Sequence, residues 1–435
     1  MPARICVKSK TKPSVIKWRA VWLAFHLYLG LSIGFIFVLA GITGSLLVFY
    51  VELDEVINPQ LQIAEPHTNE APQPYEALYQ SLRTSHPDRN GFWRLEMPRH
   101  DQALVMARYY KPKETEHLHF APLIAWINPY TAEIVSNRFW GETVMTWIFD
   151  LHYALLLDET GKTIMGIIGL VLLIPLLSGL YLWWPAPGKL KSALRVKSRS
   201  SQARLIFDLH KTNGIYSLLF LLVVLISGAI LELPDVFKPL VNTLSPLYKT
   251  PATQSLINPQ LPRISLDKAV TIARTQFPEA VLRWIETPNS PKDTYKIFLY
   301  QDGEPSKRFP KTIVWIDQYT GKIIAIRNAI NDSAGETFIK WLHPLHNGEI
   351  AGLPGRIIIF ASGIIPLILY ITGVIRWLQK RKAKSSRPIR RHAQPNDSEE
   401  TLTAPGKMNA PGLECGYPAD INDSDGFIRK CYKKP

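Results

Sequence analysis

Apolar residues are gathered into four long runs, separated by polar stretches of ordinary soluble composition. The runs lie at about residues 20–51, 163–184, 213–233 and 354–377. Each is long enough to cross a hydrocarbon core of about 30 Å, which takes roughly 20 helical residues. Between the runs the period changes. Residues 75–84 and 266–276 have amphipathic helical spacing, and each is followed by a proline, Pro87 and Pro278. Alternating stretches at 103–109 and 295–300, then 123–127 and 312–316, predict strands. Tyr130-Thr-Ala-Glu133 and Tyr319-Thr-Gly-Lys322 read as turns into a last strand. Each of the two long polar stretches therefore predicts a small α+β unit with an antiparallel sheet.

The pattern repeats. A shift of 194 residues lays Trp147 on Trp341, His152 on His346, Gly161 on Gly355, Gly169 on Gly363, Gly179 on Gly373 and Trp183 on Trp377. A shift of 184 lays His26 on His210, Gly30 on Gly214, Thr43 on Ser227 and Gly44 on Gly228. Between them, a shift of 189 lays Ile127 on Ile316. The expected fold class is thus a helical membrane bundle of four spans carrying two small α+β domains, built by tandem internal duplication.

Charge sets the expected orientation. The 435-residue chain carries a formal net charge of +14. Its excess sits in the N-terminal stretch (Lys8, Lys10, Lys12, Lys17, Arg19), in the link after the second run (Lys189 to Arg204), and after the fourth run (Arg376 to Arg391). Four crossings place all three on one side, which the positive-inside rule assigns to the cytoplasm. Topology accounts for the charge, so nucleic-acid binding is not expected. The resulting plan is a cytoplasmic N-terminus (1–19), a first span (20–51), a periplasmic domain (52–141) and an interfacial helix (142–160). A second span (161–184), a basic cytoplasmic loop (185–206) and a third span (207–233) come next. A second periplasmic domain (234–335), an interfacial segment (336–353), a fourth span (354–377) and a disordered cytoplasmic tail (378–435) complete it. Cys6, Cys415 and Cys431 fall in the termini, and no structural disulfide is expected.

Histidines in the apolar runs carry the candidate chemistry. His26 and His210 lie a few residues inside their spans, where an ionisable side chain is a functional hypothesis by default. A neutral imidazole is an axial ligand for haem iron, and two at one depth on facing helices suit one haem. Gly30 and Gly214 follow one turn later on the same faces and offer flat space beside a ligand. The plainer alternative is that these glycines allow close helix packing and the histidines hydrogen-bond across it. His152 and His346 follow aromatic-apolar segments at the other membrane boundary and form a second candidate pair. His343 has no counterpart, since Phe149 stands at that position. Three roles stay open for it: proton relay, substrate contact, or ligand in place of His346. His117-Leu-His119 reads as solvated loop before it reads as a metal site.

A dinucleotide fingerprint, a phosphate loop, a nucleophile elbow and a His-Glu-x-x-His zinc motif are all absent. Phe25-His-Leu-Tyr-Leu-Gly30, Phe207-Asp-Leu-His-Lys-Thr-Asn-Gly214, Phe149-Asp-Leu-His-Tyr153 and the Tyr319–Lys322 turn resemble the PepSY-associated transmembrane family over residues 18–378. That family includes iron-regulated inner-membrane proteins and di-haem ferric-siderophore reductases. The resemblance implies a bacterial inner-membrane protein with two b-type haems, held by His26 with His210 and by His152 with His346. It implies transfer of electrons from a cytoplasmic reductase or quinol to a periplasmic acceptor, a ferric siderophore or other acceptor, in a setting of membrane lipid. Two other readings remain at this point: a membrane-anchored regulator of a periplasmic peptidase, and a siderophore or metal transporter.

Overall fold

A computed structural model describes residues 18–63, 71–197, 200–257 and 260–385. Residues 1–17, the three cysteines, His67, His392 and most of the segment read as a disordered tail lie outside the described residues.

The first run forms α1 (Trp18–Ser32) and α2 (Gly34–Val48), which meet at a 56° bend. The continuous first span read from the sequence is therefore broken. Two local features account for it. Ser32 Oγ donates back to Tyr28 O at 2.7 Å, and Gly34 follows at once. Back-bonding hydroxyls and Gly/Ser pairs are recognised causes of helix bending. A Cβ at Gly34 would also stand 3.2 Å from the Tyr370 ring.

A short helix, α3 (Tyr50–Ile57), leads into α4 (Tyr75–Ser85) and strands β1 (Trp93–Glu96), β2 (Val105–Tyr109), β3 (Leu123–Ile127) and β4 (Ile134–Phe139). Next come α5 (Val144–Ala154), the long α6 (Asp158–Trp183), the four-residue α7 (Leu190–Ala193) and α8 (Gln202–Glu232). They are followed by α9 (Pro234–Leu244), α10 (Leu266–Gln276) and strands β5 (Val281–Glu286), β6 (Thr294–Tyr300), β7 (Thr312–Asp317) and β8 (Ile323–Arg327). The described chain ends with α11 (Ala334–Asn347) and α12 (Gly352–Ser385). Among the described residues three helices are long and apolar enough to cross a membrane, or four if the bent α1–α2 pair is one span.

The two polar stretches do not form separate sheets. All eight strands make one antiparallel sheet in the order β4-β3-β2-β1-β5-β6-β7-β8. β1 pairs β5 across the middle, with Arg94 opposite Glu286, Leu95 opposite Ile285 and Glu96 opposite Trp284. Each four-stranded half would have exposed an unpaired edge, and the pairing removes both. One face packs under α4 and α10 around Leu78, Leu82, Trp93, Leu95, Ile285 and Ile297. The other face looks toward the helical bundle. It carries Trp126 and Trp140 on one side of the seam, and Trp284, Phe298 and Trp315 on the other. With both faces covered, β3 and β7 are buried along their whole length.

In the bundle α1 packs on α6, α2 on α12, and α8 on both α6 and α12. Gly41 and Gly363 touch backbone to backbone, and Ser45 Oγ donates to Phe360 O at 2.8 Å. At the α6–α8 crossing a Cβ on Gly169 would stand 3.4 Å from that of Ala229. Small residues at both crossings let the helices approach, as apolar surroundings favour.

Candidate functional site

His26 on α1 faces His210 on α8, with 6.1 Å between ring centroids and 86° between ring planes. His152 on α5 faces His346 on α11 at 6.2 Å and 55°. The structure thus brings together the two pairs read from the sequence, and each pair joins one residue from either half of the chain.

Each ring is seated on a third helix segment by the same local device. His26 Nδ1 lies 2.9 Å from Pro175 O and 3.4 Å from Ser178 Oγ. His210 Nδ1 lies 3.1 Å from Leu369 O and 2.9 Å from Thr372 Oγ1. His152 Nδ1 lies 3.0 Å from Thr43 Oγ1, and its ring also bonds the Ala40 backbone. His346 Nδ1 lies 3.0 Å from Val224 O and 3.1 Å from Ser227 Oγ. In every case the carbonyl stands four residues before a glycine and the hydroxyl one residue before it: Gly179, Gly373, Gly44 and Gly228. Without a side chain on that glycine, the carbonyl one turn earlier is open to the imidazole. A Cβ would stand 2.8 Å from His152 Cε1 at Gly44, 2.9 Å from His346 Cε1 at Gly228, 3.1 Å from His26 Cε1 at Gly179 and 3.6 Å from His210 Cε1 at Gly373.

These bonds fix the tautomer. The seat hydroxyls spend their own protons on backbone carbonyls: Thr43 on Leu39 O, Ser227 on Val223 O, Thr372 on Ile368 O and Ser178 on Pro175 O. Each hydroxyl oxygen and each open carbonyl can then only accept, so Nδ1 carries the hydrogen and Nε2 keeps its lone pair. A histidine whose Nδ1–H is anchored to a carbonyl is the usual preparation for ligation through Nε2. Two metal–imidazole bonds of about 2 Å, plus the ring depths, separate the centroids of opposed ligands by about 6 Å. Among the described residues no group of three or more His, Cys, Asp or Glu could hold a metal ion. A metal between either pair therefore has to bring the rest of its ligands with it.

The other candidates fall outside the seats. Gly30 has nothing within 4 Å of an added Cβ, and Gly214 touches only Leu369 Cδ2 at 3.7 Å. His343 lies one turn before His346, with its ring 4.6 Å from Phe309 and its Nδ1 3.3 Å from Asn347 Nδ2. Burial, and then the charge of Arg308, lower its pKa to about 3, so it is neutral. His119 pairs with Glu159 at 2.9 Å in an exposed loop.

The PepSY-associated TM region family model matches residues 23–380. The chain belongs to that family. No curated protein matches it. The PepSY-associated match contains all four facing histidines and all four hydroxyl–glycine seats. The seats themselves were not read from the sequence. Their signal was present as a Ser-Gly or Thr-Gly pair in each apolar run, at Thr43-Gly44, Ser178-Gly179, Ser227-Gly228 and Thr372-Gly373.

Proposed function

We propose that this PepSY-associated protein binds two haems and passes electrons across the bacterial inner membrane, from a cytoplasmic reductase or quinol to a periplasmic acceptor. The observation that carries the reading is the fourfold seat: four histidines with Nδ1 anchored, Nε2 free, and partners about 6 Å away. Two opposed imidazoles with no further protein ligand suit a macrocycle, which supplies its own four equatorial donors. Haem, when bound, supplies the one-electron chemistry. The residues hold and tune it. The seat carbonyls and hydroxyls orient the imidazoles and raise their basicity.

The reading includes four spans, with α1 and α2 as one bent crossing, and a tandem duplication. The same 194- and 184-residue offsets that align the histidines also align their seats, Pro175 with Leu369 and Ala40 with Val224. It assigns the basic ends to the cytoplasm and the sheet to the periplasm by the positive-inside rule. A ferric siderophore is the proposed acceptor, because hard oxygen chelators hold ferrous iron less tightly than ferric.

The test is the spectrum of the purified protein from haem-replete cells. The expected result is a red protein with about two low-spin b-type haems per chain. His26→Ala and His210→Ala should remove one spectral component, and His152→Ala and His346→Ala the other. A colourless preparation would sink the proposal and leave the sheet as a periplasmic binding platform. Haem that cannot reduce ferric chelates would remove the acceptor alone.

A further inference from the structure

One residue, Leu233, separates α8 from α9, so α9 starts where a candidate span stops. The residues from Pro234 onward were expected to open a soluble domain, yet α9 is amphipathic. At about 100° per residue, Val236, Leu240, Leu244, Phe237 and Val241 share one continuous arc, and Asp235, Lys238 and Asn242 lie on the other side. Only part of the apolar arc is covered. Val241 packs on α11, where a Cβ at Gly335 would stand 3.1 Å from its Cγ1. Val236, Leu240 and Leu244, at every fourth residue, are 62, 58 and 86 % exposed.

The first half of the chain has no such stripe. The shift of 184 lays α3 on α9, with Glu52, Val56 and Gln60 at the positions of Val236, Leu240 and Leu244. Glu52 pairs with Arg356 instead, at 2.6 Å. The stripe is therefore particular to the second half.

Its surroundings indicate what covers it. The stripe continues from the apolar flank of α8, where Leu219 and Ile226 are exposed. On α11, which α9 packs against, Phe338 and Trp341 are exposed too, and tryptophan favours the membrane–water boundary. Burial, and then the charges of Arg327 and, more weakly, Lys238, lower the pKa of Lys311 beside β7, which puts Lys238 on the sheet side of α9 and the stripe away from the sheet. Three side chains offer well under the about 800 Å² per partner that a stable protein interface buries, so a second copy is a poor fit.

We infer that α9 lies in the membrane boundary on the sheet side of the bundle, with Val236, Leu240 and Leu244 among the lipid acyl chains. A helix of this kind sinks its apolar face about 5–10 Å into the boundary. The far end of α9 is clipped to the first turn of α11, because Ser245 Oγ accepts from Gly335 N at 2.9 Å and Glu336 Oε2 accepts from Tyr248 N at 3.1 Å. Lipid thus steadies the helix that carries His346. This seating requires α8 to cross a membrane and does not depend on haem.

Spin labels on the full chain in phosphatidylcholine vesicles provide the test, with Cys6→Ser, Cys415→Ser and Cys431→Ser as the background. Leu240→Cys, Leu244→Cys and Asn242→Cys are labelled separately, and relaxation by oxygen is compared with relaxation by a water-soluble nickel chelate. Labels at 240 and 244 should be several-fold more accessible to oxygen than to nickel, and the label at 242 the reverse. Replacing part of the phosphatidylcholine with phosphatidylglycerol should leave the pattern unchanged, since the contact is apolar. Nickel reaching position 240 as freely as 242 overturns the seating. A label at 240 shielded from both reagents places protein there and overturns lipid as the occupant. A pattern seen only with phosphatidylglycerol overturns its apolar basis. All three labelled positions are exposed, so the packing of α9 on α11 is left in place.

Discussion

Thr43 Oγ1 lies 3.0 Å from His152 Nδ1, although 109 residues separate them. The hydroxyl is already committed as a donor to Leu39 O at 2.8 Å, so it meets the imidazole as an acceptor. Ser227 stands in the same relation to His346 at 3.1 Å. Thr43→Val keeps the volume and removes the acceptor. On the proposed function, it should shift the midpoint potential of one haem component and leave the other where it was. A potentiometric titration followed by absorbance checks this, and equal shifts in both components would refute the assignment of Thr43 to one pair.

The seat glycines should rank by the space beside them. Gly44→Ala and Gly228→Ala place a Cβ 2.8 and 2.9 Å from an imidazole carbon, so the ring has to leave its seat. Overpacking of this kind costs about 1–3 kcal/mol. Gly373→Ala leaves 3.6 Å, an ordinary contact, and should be tolerated. On the proposed function, haem-to-protein ratios should fall toward one for the first two variants and stay near two for Gly373→Ala.

The sheet seam should be the most sensitive part of the soluble domain. Arg94 crosses it to pair with Glu286, and its guanidinium lies 4.5 Å from the Trp284 ring centroid and 4.9 Å from that of Tyr110. Glu286 is only 7 % exposed. Glu286→Ala leaves the partly exposed Arg94 and Lys296 without their carboxylate, and losing hydrogen bonds to a charged group in this way costs about 1.5–3 kcal/mol. Hydrogen exchange should show faster exchange in β1 and β5 before the outer strands. Uniform change across all eight strands would argue against a local seam.

Asp150 gives the soluble face a pH dependence. Burial, and then the charge of Asp158, push its carboxyl up to about 6, against the Trp140 indole that donates to it at 2.7 Å. A raised pKa means that the folded chain holds this proton more tightly than the unfolded chain, whose aspartates titrate near about 3.9. Stability from this group is therefore full below about pH 4, declines as pH rises through about 6, and is level above. Asp150→Asn keeps an acceptor for Trp140 and should flatten that decline. Melting temperatures from pH 4 to 8 read the difference.

Much of this was legible in the sequence because it is periodic. The strands at 123–127 and 312–316 and the helix at 266–276 show in apolar spacing, and the histidine pairs show in the repeat. What stayed hidden depends on which surfaces meet. Alternation predicts a strand but not its neighbour, so the pairing of β1 with β5 could not be read, and two separate domains were expected in place of one sheet. Gly30 and Gly214 were singled out because they share a helix face with a histidine. The glycines that touch imidazoles lie on other helices, and choosing them requires knowing that α6 packs on α1 and α12 on α8. The bend at Gly34, where the Tyr370 ring packs, is likewise a matter of which surfaces meet and does not show in apolar spacing.

The hydroxyl–glycine seats have a consequence for assembly. Every histidine rests on a helix from its own half of the chain, yet its ring stands about 6 Å from that of its partner in the other half. Each half therefore seats its own imidazoles, and on the proposed function a ligand between either pair is held by both halves. The halves are tied at both ends, by the β1–β5 pairing in the sheet and by α2 on α12 and α6 on α8 in the bundle.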